Sequence, residues 1–293
     1  MKRIYALLLT LVLCISLAAC GNAGSEGGSS QTEETGPSEI TLKTATETGT
    51  RVWYTTESIA GRNTVIDGVY YFKDGKVTAY IPRLYGEQYN GELGTLEDYY
   101  ELSDEEAIAL AKERYMAFYD DYKDIEGKSY NRDILETYEG EYDTIPDWDE
   151  QMAAYKAASE KLKAASAIDR EPANYEYVMK LDDSGNNASL EAIRFTYEME
   201  MTRHGQLYTY LGTSHQLYEI KEPREETAFL TANEEISKVE VYDSFFGGYV
   251  GHTEEEWEGS AAKVRTIYAL TKCNEDTTFI LDEPGTEGIE ILN

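Results

Sequence analysis

The residues in this 293-residue chain with the right types for catalysis or metal binding are three histidines, three cysteines and one serine–lysine pair. His204, His215 and His252 are scattered, with no His-Glu-x-x-His run and no His/Cys pair at zinc spacing. His252 precedes Glu254-Glu255-Glu256, which suggests a divalent-metal site. The plainer reading is a solvated acidic turn, or the first turn of a short helix begun at Thr253. Asp182, Ser184 and Asn186 alternate as calcium ligands do, but the glycine falls fourth and no loop-ending Glu is in register. A hairpin turn needs the same residue types. Ser260-Ala261-Ala262-Lys263 has the spacing of a serine nucleophile beside a lysine, without the downstream Lys-Thr-Gly that such a site requires. Gly127-Lys128-Ser129 ends like a phosphate loop, but Tyr122 stands where the upstream glycine belongs. With 56 acidic residues, carboxylate pairs at glycosidase separations arise by accident and carry no information. No catalytic residue, metal ligand or cofactor is assigned.

The cysteines say more about place than about reaction. Lys2 and Arg3 precede an apolar run, Ile4 to Ile15, that is shorter than the roughly 20 residues needed to span a bilayer. It leads into Leu17-Ala18-Ala19-Cys20-Gly21. Over residues 1–21 the chain resembles the signal and lipobox of bacterial lipoproteins. The resemblance implies cleavage after Ala19, a diacylglyceryl group on the Cys20 thiol, and anchoring on the extracytoplasmic face of the membrane. An ordinary cleaved signal and an uncleaved anchor are the alternatives. With Cys14 removed and Cys20 capped, Cys273 is the one free thiol, so no internal disulfide can form. No cysteine-hydrolase signature surrounds it, and it reads as a buried, inert side chain.

The elements that would position a site are unevenly legible. Residues 1–19 read as the signal. Residues 20–48 read as a flexible tether, because their Gly, Ser, Thr and Glu cannot repay ordering entropy. The folded region is expected over 49–293, as α+β with antiparallel sheet. A β meander is expected at 50–82, where Val69 to Lys73 and Lys76 to Ile81 flank the hairpin dipeptide Asp74-Gly75. A helical block is expected at about 103–167. Ser103 and Glu106 form a capping box, and Ile108, Ala111, Tyr115, Phe118 and Tyr122 follow at helical spacing to about residue 120. A second helix opens near Asp147 and runs to about Ala167. The rest, 172–293, reads as strands, with Gly247 to Gly251 as a flexible loop.

Tyrosine is the unusual residue, at 25 against 7 Phe and 3 Trp. It suits half-buried strand faces, but Trp53, Tyr54, Tyr70, Tyr71 and Tyr80 also offer a candidate aromatic binding face on the first meander. Removing Lys2 and Arg3 with the signal takes the net charge from −30 to −32. Such a charge excludes nucleic acid as a partner, since phosphates would be repelled. The folded region is similar in style to uncharacterised surface lipoproteins of Gram-positive-type bacteria, a likeness that implies no activity. The expectation is a membrane-anchored, non-catalytic binding or interaction module. Its partners are the membrane, through the lipid on Cys20, and an extracytoplasmic protein, peptide or carbohydrate. A solute-binding lipoprotein of an importer and a cell-envelope hydrolase are the alternatives.

Overall fold

A computed structural model describes residues 39–48, 51–84, 89–138, 148–210, 213–255 and 263–292. The expected signal, Cys20, Ser260 and most of the tether lie outside these. The described residues begin ten residues before the expected start of the folded region. β1 (Glu39–Thr41) runs into α1 (Leu42–Glu47), where Leu42 and Ala45 are buried and the Thr41 hydroxyl accepts from the Thr44 N–H at 3.1 Å. This corrects the tether, drawn to residue 48. β1 pairs with a strand near the other end of the chain, so no local pattern marks it.

β2 (Arg51–Thr56), β3 (Gly68–Lys73) and β4 (Lys76–Tyr80) form the expected meander. Asp74 and Gly75 take φ of 52° and 72°, the left-handed values a two-residue hairpin needs. The short pair β5 (Arg83–Leu84) and β6 (Tyr89–Asn90) follows, then α2 (Leu96–Tyr99), opened by a Thr95–Asp98 capping box. α3 (Asp104–Tyr138) begins as expected: the Ser103 N–H donates to Glu106 Oε2 at 2.9 Å and the Glu106 N–H to Ser103 Oγ at 3.3 Å. It runs past residue 120 and is followed by α4 (Trp148–Ala164).

The remainder is strand: β7 (Tyr175–Leu181), β8 (Ala188–Met199), β9 (Thr202–Tyr210), β10 (Thr213–Lys221), β11 (Arg224–Ala232), β12 (Glu234–Glu235), β13 (Val239–Val241), β14 (Ser244–Glu255), β15 (Lys263–Cys273), β16 (Thr278–Ile280) and β17 (Ile289–Leu292). The fold is α+β with strand predominating. β14 overturns two expectations, the loop at Gly247 to Gly251 and a helix begun at Thr253, since both lie within it. Its glycines answer long-range crowding. A Cβ on Gly248 would lie 2.0 Å from the Ala269 carbonyl oxygen, and one on Gly251 would lie 2.6 Å from the Thr231 carbonyl oxygen.

A seven-stranded sheet has the order β12-β14-β15-β2-β3-β4, with β13 also on β14; a four-stranded sheet has the order β11-β8-β7-β17. The pairings are antiparallel except β1–β16 and β17–β7, which are parallel. The larger sheet is buried on both faces. Val52, Tyr54, Val69 and Tyr80 pack with Leu96, Tyr99, Ala107, Ala111 and Tyr115 from the helical side. Trp53, Tyr70, Phe72 and Ala79 pack with Tyr177, Ile193, Phe195 and Leu230 from the smaller sheet. The alternation of side chains along a strand explains the division. A strand buried on both sides needs an apolar or aromatic residue at every position.

Candidate functional site

The aromatic residues of the first meander do not form an exposed face. Trp53, Tyr54, Tyr70 and Tyr80 are buried and Tyr71 is half-buried. Consecutive residues such as Trp53 and Tyr54 point to opposite faces of the sheet, and here each face carries a packed layer. Trp53 stacks on Tyr249 at 5.9 Å, while Tyr54 meets Tyr99 at 5.1 Å on the other side. Tyr71 and Tyr80 donate to Glu105 and Asp169 at 3.2 and 3.1 Å. Of the five, Tyr70 lines a cavity.

That cavity is a cleft of about 260 Å³ where the two sheets meet. β2 and β3 bring Thr55 and Tyr70 to it, β8 brings Tyr197, and β15 brings Arg265 and Ile267. Thr227 to Thr231 of β11 line it without a break. The acidic groups, Glu57 and Asp67, come from the β2–β3 connection. Its base is closed twice, by the Asp67 N–H donating to the Thr55 carbonyl at 2.7 Å and the Glu57 N–H donating to Asp67 Oδ2 at 2.8 Å. Arg265 pairs with Glu57. Burial, with the Glu57 charge adding to it, pushes the Asp67 carboxyl up to about 6, against the opposing pull of Arg265. The cleft offers a carboxyl–carboxylate–guanidinium cluster beside an apolar wall, which is the mixture typical of small binding sites.

Sequence reading missed this cluster. Asp67-Gly68 reads only as a turn, and Glu57 and Arg265 are 208 residues apart in the chain. No signal within a short window joins them.

The other candidates sort simply. The Asp182 carboxylate accepts from Ser184 Oγ at 2.6 Å and from Asn187 Nδ2 at 2.8 Å, so it organises the hairpin turn, and these bonds hold it well below the usual carboxylate range. The exposed His252 stands in β14 with its Nδ1 3.3 Å from Thr266 Oγ1. His204 and His215 lie on β9 and β10 opposite Glu219 and Tyr208. Gly127 to Ser129 lie inside α3, not in a loop. Cys273 ends β15, half-buried, and burial raises its thiol so that the nucleophilic thiolate is suppressed. Among the described residues, no group of three or more His, Cys, Asp or Glu is arranged to hold a metal ion. No protein-family model matches the chain, and neither the curated proteins nor the solved structures return a match.

Proposed function

We propose that this protein is a lipoprotein anchored through Cys20 on the extracytoplasmic face of the membrane, and that its folded region is a non-catalytic binding module with the cleft as its ligand site. The anchor rests on the basic start, the short apolar run and Leu17-Ala18-Ala19-Cys20. The binding site rests on one observation: an open cleft at the junction of two sheets that joins apolar lining to Glu57, Asp67 and Arg265. Cells expressing the chain should incorporate a palmitate analogue, and Cys20→Ala should abolish the label; label persisting in the variant would sink the anchor. The full chain in detergent, screened by thermal shift against amino acids, short peptides and sugars, should be stabilised by ligands that fill the cleft.

One feature favours a second reading, hydrolysis. A carboxyl titrating near 6 is suited to general acid–base work. Turnover of a peptide or glycoside that Asp67→Asn abolishes would favour that reading over simple binding.

A further inference from the structure

The cleft wall formed by β11 has an unusual composition. Thr227, Ala228, Phe229, Leu230 and Thr231 follow one another along it. Side chains of a strand alternate between faces, so five consecutive residues can border one cavity only if the cavity runs along the strand's edge. β11 is the end strand of its sheet. β8 occupies its other side through nine aligned pairs, Arg224 opposite Met199 to Ala232 opposite Glu191. Among the described residues no strand pairs with its outer side; at its far end Thr231 packs against Gly251 of β14, and the chain continues into β12 on β14. In an antiparallel strand every second residue directs its N–H and C=O away from its partner, so along Thr227 to Phe229 the cleft is bordered by backbone groups that no described strand pairs.

Exposed edges are usually blunted by charge. On β11 the charges Arg224, Glu225 and Glu226 stand at its start, and the run from Thr227 to Ala232 carries none. Phe229 within it is 46% exposed. The part that is both uncharged and open, Thr227 to Phe229, borders the cleft, while Leu230 and Thr231 border it as buried residues.

Charge selects the segment. Glu57 and Asp67 outnumber Arg265, and the chain as a whole carries −30. The chain's own residues 21–38 contain Glu26, Glu33 and Glu34 and no Lys or Arg, so they are the wrong sign.

Resting on the binding-module reading, we propose that the cleft takes an extended, basic peptide segment of a partner protein. The segment adds as a strand to the outer edge of β11, with a Lys or Arg side chain meeting Glu57 and Asp67. Backbone bonds supply affinity, and the acidic pair and the Phe229 surface supply selectivity.

The test titrates the full chain in detergent with fluorescein-labelled hexapeptides of alternating Val and Lys, of alternating Val and Glu, and the Val-Lys peptide N-methylated at alternate residues in each of the two registers. The Val-Lys peptide should bind at least about tenfold tighter than the Val-Glu peptide, a gap of about 1.4 kcal/mol. Methylation in one register, but not the other, should weaken binding by a similar factor. Glu57→Gln with Asp67→Asn should erase the preference for Lys while leaving the effect of methylation. Equal binding of both methylated forms and the parent would overturn strand addition yet leave a binding module. Failure of every peptide, with a small molecule still stabilising the chain, would overturn the peptide and keep the cleft. A synthetic peptide of residues 21–38 binding as tightly as Val-Lys would overturn the choice of occupant.

Discussion

At the scale of single residues, the most consequential is Arg170. Its guanidinium is 4% exposed and bonds Glu200, itself fully buried, at 2.6 Å. It also bonds the Glu198 carbonyl and the Tyr115 hydroxyl, and lies over the rings of Tyr115 and Tyr197 at 4.9 and 5.0 Å. One side chain thereby ties α3 to the end of β8. Arg170→Met leaves Glu200 charged, buried and unpaired, and should cost about 3–5 kcal/mol in urea unfolding. Breaking the exposed Lys112–Asp169 pair with Lys112→Met should cost no more than about 1 kcal/mol. A second buried group sets the pH response. Glu191 is 2% exposed, and burial with Asp282 beside it pushes its carboxyl from an ordinary 4.5 up to about 8. Its folded value is raised, so the native state favours its protonated form. The resulting stability is complete below about pH 4.5 and is lost as pH rises through 8. Glu191→Gln should flatten the melting temperature between pH 5 and 8; an unchanged slope there would show that other groups control it.

At the scale of elements, the legible parts were those whose signal is local. The Asp74-Gly75 hairpin and the Ser103–Glu106 cap depend on residues within three positions of each other, and both form as read. The extent of burial depended on distant partners. Trp53 and Tyr54 look like a wet aromatic surface until α3 covers one face of the sheet and β7–β8 the other. The tyrosines then serve as core residues whose hydroxyls bond elements together: Tyr99 donates to the Leu93 carbonyl at 2.7 Å, Tyr119 to the Met201 carbonyl at 2.9 Å and Tyr249 to the Ile280 carbonyl at 2.9 Å. Phenylalanine would fill the same space and lose those bonds, although the Leu93 carbonyl would keep Arg114 as a donor at 2.7 Å. The β14 glycines misled for the same reason, because what they make room for, Phe279, Ala269 and Thr231, is far away in sequence. Gly248 has φ of +150°, which side chains avoid, as well as no room for a Cβ. Gly248→Ala should therefore cost more than Gly75→Ala, which meets open space and bears only the strain of its φ of 72°. Chemical denaturation should separate the two by about 1 kcal/mol or more.

At the scale of the whole molecule, the cleft exists because the chain leaves one sheet and returns to it. β2 to β4 are made first, and their neighbours β14 and β15 come after the helices and the second sheet. Arg265 reaches Glu57 only across that excursion, so the candidate site was invisible to any short sequence window. The same layout bears on how the protein is made. Glu39 to Thr41 align with Thr278 to Ile280, and Trp53 is covered by Tyr249 and Phe279. Closing a loop of that length costs entropy before any contact offsets it, and such long-range pairing is slow. A nascent chain therefore cannot seal its first strands until almost all of it has been synthesised. Until then the Trp53 side of the sheet lacks part of its cover, and a product truncated before residue 278 would leave Trp53 and Tyr249 without Phe279 and β1 without its partner strand.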